Sequence, residues 1–222
     1  MIKKVLLLIV TLGICISGAL INKEQIISND SLFLKSIVID PGHGGKDNGA
    51  YYDDVLEDEI NLKISLILLD LCLENNMIAT ITRTDDYDLA SLYAKNRKNE
   101  DLKRRVKYIN ITEPDIFISI HLNSYPKDTR VNGPMIYYRN NDEKSYLLGK
   151  KIIDKFNEEL GYEKPLHKGD FYLLNNTIAP GVFVECGFIS NSLERSKLLT
   201  EDYQYIIASL IIKGISDYLT IT

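Results

Sequence analysis

Apolar residues recur along this 222-residue chain in two alternating patterns. Short runs rich in β-branched residues predict strands, and apolar positions three or four residues apart predict amphipathic helices. The predicted strands cover 36–40, 78–83, 115–121, 133–139, 171–174 and 182–185, and the predicted helices cover 56–75, a stretch around 102–109, 143–160 and 203–218. This alternation predicts an α/β fold, a single domain with a mainly parallel or mixed central sheet and helices on both faces.

The first residues follow a different pattern. Lys3 and Lys4 precede a run without charge from Val5 to Ile21, which predicts a cleaved export signal or a membrane anchor within residues 1–22. Residues 23–34 are polar and irregular, and we interpret them as a linker to a catalytic domain at 35–222. Either form of the leader would place that domain outside the cytoplasm, secreted or membrane-anchored.

Composition narrows the function classes. The chain has 26 Lys and Arg residues against 31 Asp and Glu residues, and this net charge of -5 argues against a nucleic-acid binder that works by neutralising phosphates. Cys72 and Cys186 follow the leader, and neither lies in a metal-binding spacing. Buried free thiols are the favoured interpretation, and a disulfide between them stays open.

Side chains suited to metal chemistry fall at the ends of three predicted strands. The first strand runs into DPGHGG, which contains His43, the third ends in SIHLNS, which contains His121, and Glu185 closes the strand at 182–185. Ligand sites of α/β sheets lie at the carboxyl ends of the strands, and catalytic zinc sites combine imidazoles and a carboxylate with an open position. The glycine-rich loop could instead be a tight turn or a phosphate-binding loop, although the GxxxxGK[ST] motif is absent.

A carboxylate near the start of the first helix could complete such a site. Five acidic residues compete for this role: Asp53, Asp54, Glu57, Asp58 and Glu59. Acidic residues are also favoured in a first helical turn for purely structural reasons. Spacing alone does not choose among the five.

Six ordered motifs resemble those of zinc-dependent N-acetylmuramoyl-L-alanine amidases of the third amidase type. They are VIDPGHGGKDNGA (38–50), LEDEINLKIS (56–65), TRTDDYDL (82–89), LKRRVKYIN (102–110), FISIHLNS (117–124) and VFVECGFISN (182–191), within a match over 36–219. The resemblance implies a zinc ion held by His43, Glu57 and His121, with Asp58 as the alternative to Glu57. It also implies that Glu185 is the catalytic acid and base.

The resemblance further implies hydrolysis of the amide bond between the lactyl group of N-acetylmuramic acid and L-alanine of the peptidoglycan stem peptide. Because the chain has no wall-binding repeats and only a short leader, it looks most like the germination-specific amidases of spore-forming bacteria. Those enzymes act in the spore cortex, as a step toward muramic-δ-lactam. Peptidoglycan is then the substrate, and an accessory protein that activates or localises the enzyme is a possible partner, since no inserted helix is expected to cover the site.

Three other functions compete with this hypothesis. A zinc peptidase could cleave within stem peptides or cross-links, because the same ligands can polarise any amide. A vegetative autolysin or cell-separation amidase would share the chemistry but act on another wall. A wall-binding protein without activity is disfavoured, because a degenerate member should have lost one of the four site residues.

Two groups of basic residues have structural interpretations. Arg83 is expected to form an ion pair with Asp85 or Asp86 rather than to bind substrate carboxylates. The cluster Lys103, Arg104, Arg105 and Lys107 is expected to be an exposed helix face, although anionic glycan strands could use it.

Overall fold

The structure, a computed structural model, describes residues 35–221. The predicted leader (1–22) and the predicted linker (23–34) precede this part of the chain and stay predictions. Within residues 35–221, every helix is too short or too polar to cross a membrane.

Each central strand carries apolar side chains on both of its faces, as expected of parallel strands buried on both sides. In β1 (Ser36–Pro41), Ile37 and Ile39 pack into one core, while Val38 packs into a second core on the opposite face. β5 (Ile116–Asn123) repeats this alternation. Burial on both faces explains why these segments read as continuous apolar runs.

The other strands extend this sheet on either side. They are β4 (Ile78–Ile81), β8 (Gly181–Phe188), β6 (Met135–Arg139) and β7 (Leu166–Gly169), in the spatial order β4-β1-β5-β8-β6-β7. The four strands β4, β1, β5 and β8 are parallel, whereas β6 is antiparallel to β8 and parallel to β7. A separate short hairpin joins β2 (Tyr51–Tyr52) to β3 (Val55–Leu56). The sheet is therefore mixed, as predicted.

Helices cover both faces of the sheet, which confirms the predicted fold class. They are α1 (Glu57–Glu74), α2 (Arg97–Thr112), α3 (Glu143–Leu160), α4 (Tyr172–Asn176), α5 (Ser192–Leu198) and α6 (Glu201–Leu219). The larger core lies under α1, α3 and α6, and the smaller core lies under α2 and α4. Cys72 and Cys186 are both buried and free, as favoured from the sequence.

One predicted strand is wrong. Residues 171–174 form the start of α4, where Leu173 and Leu174 pack into the smaller core. The edge strand on this side of the sheet is β7, which pairs on one side with β6 and contains His167 and Lys168. Because an edge strand needs no continuous apolar run, the polar sequence of β7 did not match the pattern used to predict strands.

Candidate active site

The register of the parallel strands brings three chemically useful residues to one edge of the sheet. Pro41, at the end of β1, pairs with Ile120, and the next residue of β5, His121, pairs with Glu185 of β8. His43 follows β1 by two residues. Because these strands are parallel neighbours, their carboxyl ends meet, and the three side chains line one cleft of about 300 Å³.

Glu57, the first residue of α1, lies between the two imidazoles. Its Oε1 is 2.9 Å from His121 Nδ1 and 3.3 Å from His43 Nε2. The three side chains present ligand atoms that all lie within 4.8 Å of one another. Of the five acidic residues that the sequence left open, the structure therefore brings Glu57 to the two histidines.

The Glu57 carboxylate is held in place by backbone and side-chain donors. Ala50 N donates to Oε2 at 2.7 Å, Leu122 N donates to Oε1 at 3.1 Å, and Asn61 Nδ2 donates to Oε1 at 3.2 Å. Burial alone would raise the pKa of Glu57, but the hydrogen bonds and charges of His121 and His43 outweigh it and lower the pKa. Glu57 is therefore ionised and preorganised.

Two glycines allow the close approach of these residues. A Cβ atom on Gly42 would lie 2.2 Å from His121 Cε1, and one on Gly49 would lie 2.4 Å from Glu57 Oε2. Such distances are far inside van der Waals contact, so any side chain at either position would displace a site residue. The glycine-rich loop thus serves close packing around the ligand cluster.

The two histidines differ in their electrostatic surroundings. Burial lowers the pKa of His43, but hydrogen bonds to Asp47 and Glu57 outweigh it and raise the pKa to about 9. For His121, burial dominates over Glu57 and lowers the pKa. The His121 ring also stacks on Phe183, with ring centroids 3.9 Å apart.

The cluster fits a zinc ion. Catalytic zinc sites commonly use three protein ligands drawn from imidazoles and carboxylates and keep a further position for water or substrate. His43, Glu57 and His121 supply this donor set, and Glu57 enters it ionised. The cleft beside them leaves space for a substrate.

Glu185 faces this cleft with an unsatisfied carboxyl oxygen. Its Oε2 is buried and has no hydrogen-bond partner among residues 35–221. Burial, followed by the negative charge of Glu57, raises the pKa of Glu185 to about 8 despite the opposing effect of His43. A carboxyl group whose pKa lies near neutrality suits proton transfer in both directions.

A family model for N-acetylmuramoyl-L-alanine amidases matches residues 37–217. The chain belongs to this amidase family. The family resemblance inferred from the six motifs is thereby confirmed.

Three relatives match this amidase along most of their own length. The germination-specific N-acetylmuramoyl-L-alanine amidase of Bacillus subtilis (strain 168) is 37% identical over 89% of this chain and 88% of its own. Among solved structures, the CwlD amidase of Clostridioides difficile, in complex with the GerS lipoprotein, has a TM-score of 0.81 and 34% identity over 85% of this chain and 100% of its own. An N-acetylmuramoyl-L-alanine amidase from Clostridium difficile 630 has a TM-score of 0.76 and 26% identity, and covers 85% of this chain and 98% of its own.

Beneath the site, the amidase contains a buried charge network that the sequence interpretation missed. Arg105 is 2% exposed, so its assignment to an exposed basic face is wrong, whereas Lys103, Arg104 and Lys107 are exposed. Its guanidinium contacts Asp40 at 2.8 Å and Asp101 at 2.7 Å. Asp101, Arg105 and Ile109 are spaced four residues apart, so they lie on one face of the helix, and all three are buried. This spacing is the signal in the sequence that could have revealed the burial of Arg105.

Arg83 also has a structural role, but its contact with Asp85 is to the backbone carbonyl, at 3.2 Å, and not to the carboxylate. Arg83 is 1% exposed, and its guanidinium also donates to the backbone carbonyls of Pro41, Gly42 and Asp58. The predicted side-chain ion pair with Asp85 or Asp86 is replaced by contacts that support the backbone of the His43 loop.

The metal-free amidase should lose stability as pH rises through the pKa of Glu185. The folded-state pKa of about 8 lies above the ordinary value of 4.5, so the folded protein holds this proton more tightly. The stabilisation from this tightly held proton is complete below pH 4.5 and is lost as pH rises through about 8. Over this range the free energy of unfolding falls by at most roughly 1.4 kcal/mol per pH unit.

Glu185→Gln should therefore flatten this part of the pH dependence. The measurement is denaturant unfolding of chelator-treated wild type and variant at intervals between about pH 5 and pH 9. The difference in unfolding free energy should shift in favour of the variant as pH rises. A difference that is constant over this range would contradict the shifted pKa.

Proposed function

We propose that this amidase, with zinc, hydrolyses the amide bond between the lactyl group of N-acetylmuramic acid and L-alanine of the peptidoglycan stem peptide. We place this activity outside the cytoplasm, in the spore cortex. The observation that carries the proposal is the meeting of His43, Glu57 and His121 within 4.8 Å, with Glu185 beside His121 in strand register. Two imidazoles and one carboxylate would hold the ion.

When bound, zinc supplies a Lewis acid that polarises the amide carbonyl and makes a water molecule more acidic. Glu185 has the task of moving the proton. Its carboxylate accepts a proton from the attacking water as the new carbon–oxygen bond forms. Its carboxyl group then donates that proton to the nitrogen of L-alanine as the carbon–nitrogen bond breaks, because without the proton the nitrogen would have to leave as an amide anion, which is a very poor leaving group.

The surroundings of Glu185 suit this cycle. Burial of the carboxyl disfavours the charged form, while the nearby imidazole of His43 favours it. Together with the negative charge of Glu57, these influences set the pKa of Glu185 at about 8, near neutrality, where the group can both accept and donate a proton. Phe183 and Phe171, which stack with ring centroids 4.3 Å apart, give the same cleft an apolar wall.

The spore-cortex role rests on similarity. The Bacillus subtilis relative, which is described as germination-specific, aligns over 88% of its length. Removal of whole stem peptides would leave bare muramic acid, which lactam formation requires. Because the CwlD amidase was solved with a lipoprotein, we also propose that this amidase uses an accessory protein.

Product analysis tests the bond that is cleaved. Purified cortex peptidoglycan is digested with the zinc-loaded protein, and the soluble products are analysed by mass spectrometry and amino-terminal labelling. We expect released stem peptides with a free L-alanine amine and glycan strands with bare muramic acid. Peptide fragments that remain attached to the glycan would indicate a peptidase instead.

A deletion strain tests the wall on which the enzyme acts. Loss of the gene should remove muramic-δ-lactam from spore cortex and leave vegetative cell separation unchanged. Chained vegetative cells with normal cortex would assign the enzyme to the vegetative wall.

A further inference from the structure

His43 has a polar partner on each side of its ring. Nε2 faces Glu57 Oε1 at 3.3 Å, inside the ligand cluster. Nδ1 lies 3.1 Å from Asp47 Oδ2, outside the cluster. Because an ionised carboxylate can only accept hydrogen bonds, this contact places a proton on Nδ1 and directs the other nitrogen at the proposed metal position.

Asp47 is itself fixed by several contacts. Lys98 Nζ of α2 lies 3.1 Å from the same Oδ2, and Gly49 N donates to Oδ1 at 3.3 Å. Gly44 and Asp47 also exchange two backbone hydrogen bonds, of 2.9 and 3.2 Å, which close the loop between them. The carboxylate therefore occupies one position relative to the imidazole.

The loop needs such support because its backbone is unusual. His43 has φ of 60°, in the left-handed region that residues with a Cβ atom seldom adopt. Arg105 Nη2 of α2 donates to the His43 carbonyl at 2.5 Å, which holds the backbone while Asp47 holds the ring. A strained residue persists only where its surroundings determine it, and here α2 supplies that constraint through Lys98 and Arg105.

His121 is held in a different way. It lies on β5, its ring stacks on Phe183, and its Nδ1 contacts Glu57 within the cluster. Burial and strand pairing therefore fix the orientation of His121. Of the two histidines, His43 lies on a loop and depends on a carboxylate outside the cluster.

We propose that Asp47 is a positioning residue that orients His43 for a divalent metal ion. The inference rests on the proposed function, since it concerns the ion that His43, Glu57 and His121 would hold. Carboxylates that accept from the outer nitrogen of a metal-binding histidine fix its tautomer and raise its affinity for the metal. Asp47 would do this through His43, since the three ligand atoms come from His43, Glu57 and His121.

The test is zinc affinity of the full-length protein, measured by competition with a chromogenic chelator. Asp47→Ala should weaken zinc binding by about 10- to 100-fold. Asp47→Asn should lose less, because its amide oxygen can still accept from Nδ1. Asp54→Asn is the matched control: it removes one negative charge from the same segment, at an exposed residue whose side chain bonds the Tyr51 hydroxyl.

Three outcomes separate the possible errors. Wild-type affinity in Asp47→Ala would overturn the positioning role and leave the proposed function standing. An equal loss in Asp47→Asn and Asp54→Asn would also overturn it, because net charge would then explain the effect. If wild type binds no zinc, the proposed function fails, and the positioning role is then tested by the NMR signals of the His43 ring nitrogens in metal-free protein. These signals should change in Asp47→Ala, and unchanged signals would overturn the positioning role.

Discussion

Replacing Glu185 with glutamine should lower kcat by about 10²- to 10⁴-fold while zinc content stays at the wild-type level. Glutamine keeps the size and polarity of the side chain but cannot accept a proton from water or return it to the departing amine. The ligand cluster of His43, Glu57 and His121 is untouched by this change. The measurement is the rate at which stem peptides with a free L-alanine amine appear during digestion of cortex peptidoglycan, together with metal analysis of the same sample.

The control for this variant is Glu59→Gln, which removes a carboxylate from the exposed side of α1. It should turn over substrate at the wild-type rate. A Glu185→Gln enzyme that keeps more than about a tenth of wild-type kcat would contradict the role as acid and base, whose loss costs at least about 100-fold.

Glu57→Gln should abolish zinc binding and activity together. Its carboxylate is the acceptor between the two imidazoles, and an amide has no negative charge with which to bind the ion. We expect the loss of affinity to exceed the roughly 100-fold limit for changes to outer partners of a metal ligand. Metal analysis after gel filtration and chelator competition would measure it.

Asp58→Asn is the matched comparison, because Asp58 is the neighbouring residue that the sequence left as the alternative ligand. Its carboxyl pKa is raised to about 6 by burial and by the charge of Asp86, and it lies outside the ligand cluster. This variant should bind zinc as wild type does. The reverse result, with zinc lost in Asp58→Asn and kept in Glu57→Gln, would exchange the two assignments.

Strand polarity explains how much of the site could be predicted from the sequence. Apolar runs that end at His43, His121 and Glu185 mark the carboxyl ends of parallel strands, and such ends meet at one edge of a sheet. The choice of Glu57 could not come from spacing, because it depends on how the β2–β3 hairpin sets the first turn of α1 against the glycine-rich loop. The resemblance supplied that choice before the geometry did.

Buried charges explain much of what could not be predicted. Arg105 sits in a basic stretch of sequence that is typical of a solvated helix face, and its burial follows from partners far along the chain, such as Asp40. The role of Asp47 likewise depends on a left-handed turn at His43 that no periodicity reveals. Long-range pairing of charges leaves a weaker trace in a sequence than apolar periodicity does.

The direction of β1 has a consequence for where the preceding chain joins the domain. The described chain begins at Lys35, beside Asp115 at the amino ends of the parallel strands, and runs the length of the sheet as β1 before it reaches His43. The catalytic edge is thus separated from the point of entry by the length of β1, roughly 20 Å. The chain that precedes Lys35 therefore joins the domain at the end of the sheet opposite to the cleft.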